Sequence, residues 1–515
     1  MKKQFTFLFF ILSILFFITS CSDKDNEIED TLSLSKSQLF FKVSTEKQSI
    51  TIKSNTKWEI DKNIPSWCTV SPMSGKGDVT ITVETKENTQ EVRLTTQLVI
   101  KTKTKIQRVS IQQEAAPPAA LEGYYFPLLT INTKNGTPII SKDDYMDATI
   151  KIESRDSKGV IKEKLMEADT EIKGRGNSTW GMEKKPYKLK LKESAQVLGM
   201  PKNKHWVLLA NYSDKTLMRN ELAFEMSRRM GFAWTPRMQY VDVVLNGEYI
   251  GNYMLGEHIR VDKNRVNIPE LKSADTDITG GYLLEIDERK GEPVWFETLE
   301  AKMTFCVNTP EDIPANQIEY ISNYIQNIEN IIYGKNDVNP VEELPKYLDM
   351  KSFIDYLLLN ELSKNVDGNL RLSTFVYKNR GDDKLYFGPV WDYDIAFGNV
   401  NYDNCDMVSE WHARARAPWY QQFFSHPEFE NMVKDRWNEL RGNELSDTNI
   451  NTFIDSMAEK INVSQYYNFQ KWPILGIYVW PNPVDYQSRI SYTDEVSYLK
   501  TWIKNRSSWM DPQFK

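Results

Sequence analysis

A six-residue run, Ala115-Ala116-Pro117-Pro118-Ala119-Ala120, divides this 515-residue chain into two parts with different hydrophobic periods. Before it, over residues 32–114, apolar and polar residues alternate, as at 48–53, 79–83 and 109–113, in a composition rich in Thr, Val, Ile and Ser. Turn residues such as Ser71-Pro72-Met73-Ser74-Gly75-Lys76-Gly77 interrupt the alternation at short intervals. A period of two gives each strand one core face, and several short strands at such spacing predict a small antiparallel, immunoglobulin-like all-β sandwich. After the Pro/Ala linker (115–123), residues 124–515 read differently. Strands are expected at 149–152, 187–191, 205–209, 240–245 and 281–286, and Asn246-Gly247 marks a tight hairpin. A helix is expected over 215–230, capped by Ser213 or Asp214 and stopped by Gly231. Further on the period becomes helical: Ile321, Tyr324, Ile325, Ile328 and Ile332 share one stripe, and Phe353, Tyr356, Leu357 and Leu362 another. Strands followed by helices predict a two-lobed α+β domain.

The first twenty residues read as an address. Met1-Lys2-Lys3 is basic, 5–18 is apolar, and Ile18-Thr19-Ser20-Cys21 places a Cys directly after small residues. The apolar run is too short for a spanning helix, which needs about 20 residues, and the pattern is that of a signal peptide. Its end resembles a bacterial lipobox, which makes Cys21 the lipidated N-terminus. Residues 21–31 form an acidic tether similar to those of surface-exposed lipoproteins in Bacteroidetes. The expected location is the outer membrane, facing outward, with membrane contact through the lipid anchor only.

The chemistry is bounded by what is scarce. The chain has four Cys and four His, with no CxxC pair and no HExxH spacing, so a thiolate zinc site and zincin chemistry are excluded. The formal net charge of −7 argues against a nucleic-acid partner, which calls for a basic face. Carboxylates, lysines and backbone amides remain.

Three clusters exceed what packing requires. Lys173-Gly174-Arg175-Gly176-Asn177-Ser178-Thr179-Trp180-Gly181, followed by Lys184, Lys185, Lys188 and Lys190, combines glycines with anion-binding donors. Lys188 and Lys190 share one strand face while Leu189 and Leu191 take the core face. The second cluster is Asn365-Val366-Asp367-Gly368-Asn369-Leu370-Arg371-Leu372-Ser373, at the end of an apolar helix. The third is Gly388-Pro389-Val390-Trp391-Asp392-Tyr393-Asp394, after a predicted hairpin at 374–387. Asp, Asn and Gly favour turns, but carboxylates among Trp, Tyr, Phe and Ile call for a partner or a metal.

These runs, with Asn211-Tyr212-Ser213-Asp214-Lys215-Thr216-Leu217-Met218-Arg219-Asn220 and Leu245-Asn246-Gly247-Glu248-Tyr249-Ile250-Gly251, resemble those of CotH-type atypical protein kinases. Trp58-Glu59-Ile60, 65–72, the Gly75/Gly77 turn and Gln112-Gln113 resemble a BACON domain. The first resemblance implies an atypical kinase-like fold that uses ATP and Mg²⁺ (or Mn²⁺) to phosphorylate a Ser, Thr or Tyr hydroxyl of a protein substrate. It implies Asp367 as the group that orients or deprotonates the acceptor and Asp392 as catalytic metal ligand, assisted by Asp394 and Asn369, with Ser373 as a further replacement ligand. Arg175 and Asn177 would contact nucleotide, with Lys188, or failing it Lys190 or Lys185, on the phosphates. Glu221, Glu225 or Glu257 would pair that Lys. Leu372 stands where ordinary kinases carry a metal-binding Asn, and Asp394 where they carry a Gly. The BACON resemblance implies a spacer or a carbohydrate- or mucin-binding module, with Trp58 and Trp67 as sugar platforms or core. Two other readings stay open: a catalytically inactive relative serving as a surface structural or glycan-binding protein, and a glycosidase built on two of the three Asp.

Overall fold

The computed structural model describes residues 29–90, 92–116, 121–335 and 337–515. The signal peptide, Cys21, most of the tether and residues 117–120 of the linker lie outside the described residues. The chain forms two compact units, Met1–Ala119 and Ala120–Lys515.

The first unit is all β: β1 (Leu32–Leu34), β2 (Gln38–Phe41), β3 (Glu46–Ser54), β4 (Lys57–Ile60), β5 (Cys68–Ser71), β6 (Ser74–Lys76), β7 (Val79–Thr85), β8 (Leu94–Lys101) and β9 (Ile106–Gln113). They form two sheets, β1-β3-β7-β5 and β2-β9-β8-β4-β6. The expected alternation builds their shared core, in which Ile50, Ile52, Ile81 and Val83 of one sheet meet Leu98, Ile100, Val109 and Ile111 of the other. One pair departs from the antiparallel expectation, since β2 runs parallel to β9. Trp58 belongs to the core: it is 2% exposed and its indole N–H donates to the Gly77 carbonyl at 3.0 Å. It therefore offers no sugar platform. Trp67 is half-buried against the same core, and burial pushes the Cys68 thiol up to about 11.

The second unit begins with β10 (Leu128–Thr133), β11 (Met146–Arg155), β12 (Ile161–Gly174), β13 (Tyr187–Val197), β14 (Met200–Leu209), α1 (Arg219–Met230), β15 (Met238–Leu245) and β16 (Glu248–Glu257). The seven strands close into a barrel, β10-β11-β12-β13-β14-β16-β15, with β15 returning parallel to β10. Inward residues such as Ile131, Ile150, Leu189, Leu191, Trp206, Leu208 and Val241 fill it. On β14 to β16 the opposite face is apolar too: Val207, Leu209, Tyr240 and Met254 join the core that contains Leu222, Met226 and Met230 of α1. Asn246 and Gly247 take φ of 51° and 85°, which a two-residue type I′ turn requires. α1 starts at Arg219 rather than 215, because 213–218 is a buried loop. Its N-cap position is therefore Met218, which gives no side-chain cap, rather than Ser213 or Asp214; Asp214 accepts from the Arg219 N–H at 2.8 Å, and Gly231 ends the helix at φ 83°.

The remainder holds β17 (Tyr282–Ile286), β18 (Trp295–Glu297), β19 (Thr304–Thr309), α2 (Ala315–Ile332), α3 (Pro340–Tyr347), α4 (Met350–Ser363), β20 (Thr374–Lys378) and β21 (Leu385–Phe387). Five more helices follow: α5 (Ala413–Arg416), α6 (Pro418–Phe423), α7 (Pro427–Gly442), α8 (Asp447–Lys471) and α9 (Tyr492–Met510). The predicted hairpin is β20–β21, and it joins a five-stranded sheet, β18-β19-β17-β20-β21. The architecture is mixed α+β, strands first and helices later. α4 is its axial helix: Asp349 caps it through the Ser352 N–H at 2.8 Å, and its residues are buried from Phe353 to Ser363. Among the described residues no helix is long and apolar enough to cross a membrane.

Candidate active site

A cleft of about 420 Å³ opens between the barrel and the parts that follow it. The β12–β13 turn, Lys188, the end of β14, the segment 285–292 from the end of β17 onward, Asp367, Ser373 and residues 391–395 line it. All three clusters singled out in the sequence therefore meet at one place.

The glycines of the turn have packing reasons. A Cβ on Gly174 would lie 2.4 Å from the Trp180 ring, and Gly176, at φ 83°, has the Thr179 hydroxyl 2.1 Å from that position. Arg175 leaves this turn half-buried, its guanidinium 5.5 Å from the centre of the Trp391 ring. Lys188 emerges from β13 on the outside of the barrel, opposite Leu189 and Leu191, as the alternation predicts. No described residue gives its side chain a hydrogen bond or a close ion pair. Burial, reinforced by Lys173 and Arg175 and opposed by Glu292, lowers its ammonium to about 8. A half-buried cation among cations is set up to take an anion.

The acids are held by their backbones, which leaves the carboxylates open. Lys364, in the left-handed region at φ 43°, ends α4 and turns the chain toward Asp367. The Asn365 side chain donates to the Asp392 carbonyl at 3.2 Å and accepts from the Asp367 N–H at 3.4 Å, tying the two loops together. From α1, Asn220 accepts the Tyr393 N–H at 2.7 Å and donates to Asn211 at 3.3 Å. Arg219, wholly buried, pairs with Asp214 at 2.6 Å and donates to the Ala396 carbonyl at 3.1 Å. The polar run at 211–220 thus works as the clamp on residues 393–396. Asp392 itself sits at φ 65°, with Leu370 at 60° and Ser373 at 48° beside it; such backbone strain gathers at functional sites.

Among the side chains, the Ser373 hydroxyl donates to Asp392 at 3.4 Å, and no described residue donates to the Asp394 carboxylate. Burial, then Asp392, Asp214 and Asp367, push Asp394 well above the carboxylate range against the pull of Arg175. Burial and Asp392 raise Asp367 to about 6, with Arg289 opposing from 3.9 Å. Burial and Asp287 raise Glu285 to about 8. Carboxylates that repel one another across a cleft are relieved by a cation. Among the described residues no three acid, His or Cys side chains form a metal cage. Mg²⁺ needs none: one or two carboxylates, with phosphate oxygens and water, are its usual shell. The donor chemistry of Asp392 and Asp394 fits that ion.

Several residues expected at the site lie elsewhere. Lys185 donates to the carbonyls of Trp180 and Met182 at 2.8 and 3.1 Å, bracing the turn. Lys190 points beyond the cleft and meets Glu171 at 3.6 Å. Glu221 and Glu225 pair with Arg228 on their own helix, and Glu257 is buried against Arg237 at 2.8 Å and Arg265 at 3.7 Å. None of these acids pairs Lys188, because arginines closer in space already hold them. Asn369 lines a different cavity. Asn177 lines the cleft mouth, exposed, 3.4 Å from Lys142. The sequence reading missed Glu285, Asp287, Glu292 and Asn220. A lone Glu inside the apolar run Tyr282-Leu283-Leu284-Glu285-Ile286 was the available signal.

The CotH kinase protein family model matches residues 172–510, and the chain belongs to that family. The BACON model, described as a putative binding domain, N-terminal, matches residues 56–114. No curated protein matches. Among solved structures, a GH5 xyloglucanase from Bacteroides ovatus is 19% identical over 19% of this chain and 21% of its own, with a TM-score of 0.16. The chain thus spans about a fifth of that enzyme. Domains 5-6 of the S-layer protein SbsC are 15% identical over 44% of this chain and 95% of theirs, with a TM-score of 0.15. Similarity of this extent assigns neither fold nor function.

Proposed function

We propose that this chain transfers the γ-phosphoryl group of ATP to a Ser, Thr or Tyr hydroxyl of a protein, in a two-lobed kinase-like arrangement with the barrel as one lobe and the α4-centred part as the other. The observation that carries the reading is one cleft lined by Asp367, Asp392 and Asp394 and by Lys188, whose ammonium has no hydrogen bond or close ion pair among the described residues. Family membership supports it. Asp367 takes the acceptor proton as the new oxygen–phosphorus bond forms and the bond to the leaving diphosphate breaks. A carboxylate raised to about 6 is a stronger base than an ordinary one and is ionised at neutral pH. Lys188 and Arg175 bind the phosphate chain and neutralise the leaving group. Asp392 and Asp394 would hold Mg²⁺ or Mn²⁺, which supplies further charge neutralisation there.

One observation favours a second reading, a catalytically silent relative: Asn369 lines a different cavity and Leu372 is buried, so of the run 367–373 Ser373 is left to supplement the two Asp. Thermal shift with Mg-ATP or Mn-ATP, together with incorporation of labelled phosphate, separates the two. The kinase reading expects a metal-dependent shift lost in Asp392→Ala, and labelling lost in Asp367→Ala while the shift survives. No shift with either metal ends it. The lipid anchor at Cys21, an outward position on the outer membrane, and carbohydrate or mucin as ligand of the sandwich complete the proposal. Their tests are radiolabelled lipid incorporation, lost in Cys21→Ala, and mucin pull-down with the full chain.

A further inference from the structure

We infer that a second cavity, which begins two residues beyond Asp367, receives an acidic stretch of the acceptor polypeptide; this rests on the phosphoryl-transfer reading of the cleft. The cavity encloses about 340 Å³, and Glu288, Lys302, Asn369, Arg371, Asp403 and Arg416 are among its lining. Two strips of chain run from the cleft into it. Asp287 and Arg289 line the cleft while Glu288 between them lines the cavity; Asp367 lines the cleft while Asn369 and Arg371 line the cavity. The Glu288 N–H donates to the Arg371 carbonyl at 3.0 Å and joins the strips. An extended segment advances about 3.3 Å per residue. With its hydroxyl at Asp367, side chains about two to four residues away reach the cavity.

The charge there suits carboxylates. Lys302 is exposed and makes no hydrogen bond or close ion pair among the described residues. Arg416 is exposed and contacts neutral partners, the Asp403 carbonyl and His412 Nδ1, each at 2.8 Å. Burial lowers His412 to about 3, so its ring accepts as a neutral imidazole. Arg371 pairs with Glu288 at 3.3 Å, both half-exposed, an exchange that an incoming carboxylate can make at little cost. Among the described lining, Lys302, Arg371 and Arg416 outnumber Glu288 and Asp403, which leaves a positive balance, with Glu297 outside the lining also acting on Lys302. A buried group points to peptide: Asn369 is 7% exposed, and its Oδ1 has no donor among the described residues. A peptide N–H completes it.

The test uses the full chain and labelled peptides of one length with a single central Ser, flanked by Asp/Glu, by Asn/Gln or by Lys. Fluorescence anisotropy is expected to show the acidic peptide binding about tenfold tighter than the neutral one, with the basic one weakest and the preference shrinking with salt. Lys302→Glu with Arg416→Glu should abolish the preference, and Lys302→Gln, a surface change, should reduce it. Equal affinity for acidic and neutral peptides, or an undiminished preference in both variants, overturns the inference. So does displacement of the acidic peptide by an anionic polysaccharide, alginate, more readily than by polyglutamate. Mg-ATP thermal shift in the same samples keeps the two readings apart. A peptide preference without a nucleotide response leaves the cavity assignment standing and ends the kinase reading; the reverse result does the opposite.

Discussion

Replacing the proposed base, Asp367→Asn, should stabilise the protein while abolishing transfer. Asp367 is 8% exposed, and burial together with Asp392 raises its carboxyl from 3.8 to about 6. Below pH 3.8 the carboxyl is protonated whether the chain is folded or not, and it contributes nothing to the pH dependence. Between 3.8 and 6 the folded state holds the proton more tightly, so its stability falls as pH rises. Above about 6 the whole cost of an ionised, buried carboxylate is present. Two pH units correspond to about 3 kcal/mol. The second unit has roughly 400 residues, and at about 2 cal/mol/K per residue each kcal/mol moves its midpoint by about 1 °C. Asn keeps the shape and removes the charge, so the variant should melt about 2–4 °C above wild type at pH 7.5 and within about 1 °C of it near pH 4. Calorimetry of both proteins from pH 4 to 8, without nucleotide, measures this. A variant that melts lower than wild type at pH 7.5, or a difference that does not change with pH, would refute the electrostatic account of the site.

Further outcomes follow from the same contacts. Lys188→Met removes a half-buried ammonium with no close partner among the described residues, so the midpoint without ligand should rise at pH 7 and the Mg-ATP shift should vanish. Because the wild-type ammonium is lowered to about 8, wild-type nucleotide affinity should weaken from pH 7 to 9.5, measured by calorimetric titration. Asn220→Ala strands the Tyr393 N–H and should cost about 1–3 kcal/mol in urea unfolding, with a smaller metal-dependent shift as residues 392–394 loosen. Arg219→Met leaves Asp214 buried and unpaired at a cost of about 3–5 kcal/mol. Adding Asp214→Asn should recover part of that loss, and a double mutant no better than the single would show that the pair is not the source.

What could be read along the chain was whatever repeats locally. The alternation in residues 32–114, the helical stripe of α2 and the outward face of Lys188 each follow from a backbone period of two or 3.6, the Asn246-Gly247 turn follows from two adjacent residues that tolerate positive φ, and the structure carries them all. Asp392 and Asp394 stood out for a related reason, their apolar neighbours Trp391, Tyr393 and Ile395, and Asp367 stood out as an acid at the end of an apolar helix. Partners were another matter. Lys185, Glu221 and Glu257 look no different in sequence from Lys188, yet Trp180, Arg228 and Arg237 hold them away from the cleft. Asn369, two residues from Asp367, turns into a separate cavity, and Asn220 secures Tyr393 across more than 170 residues of chain. Periodicity is a property of a dozen consecutive residues. Which cation stays unpaired, and which carboxylates crowd one another, is set by distances through space, and those exist only once barrel, sheet and helices have closed around the cleft.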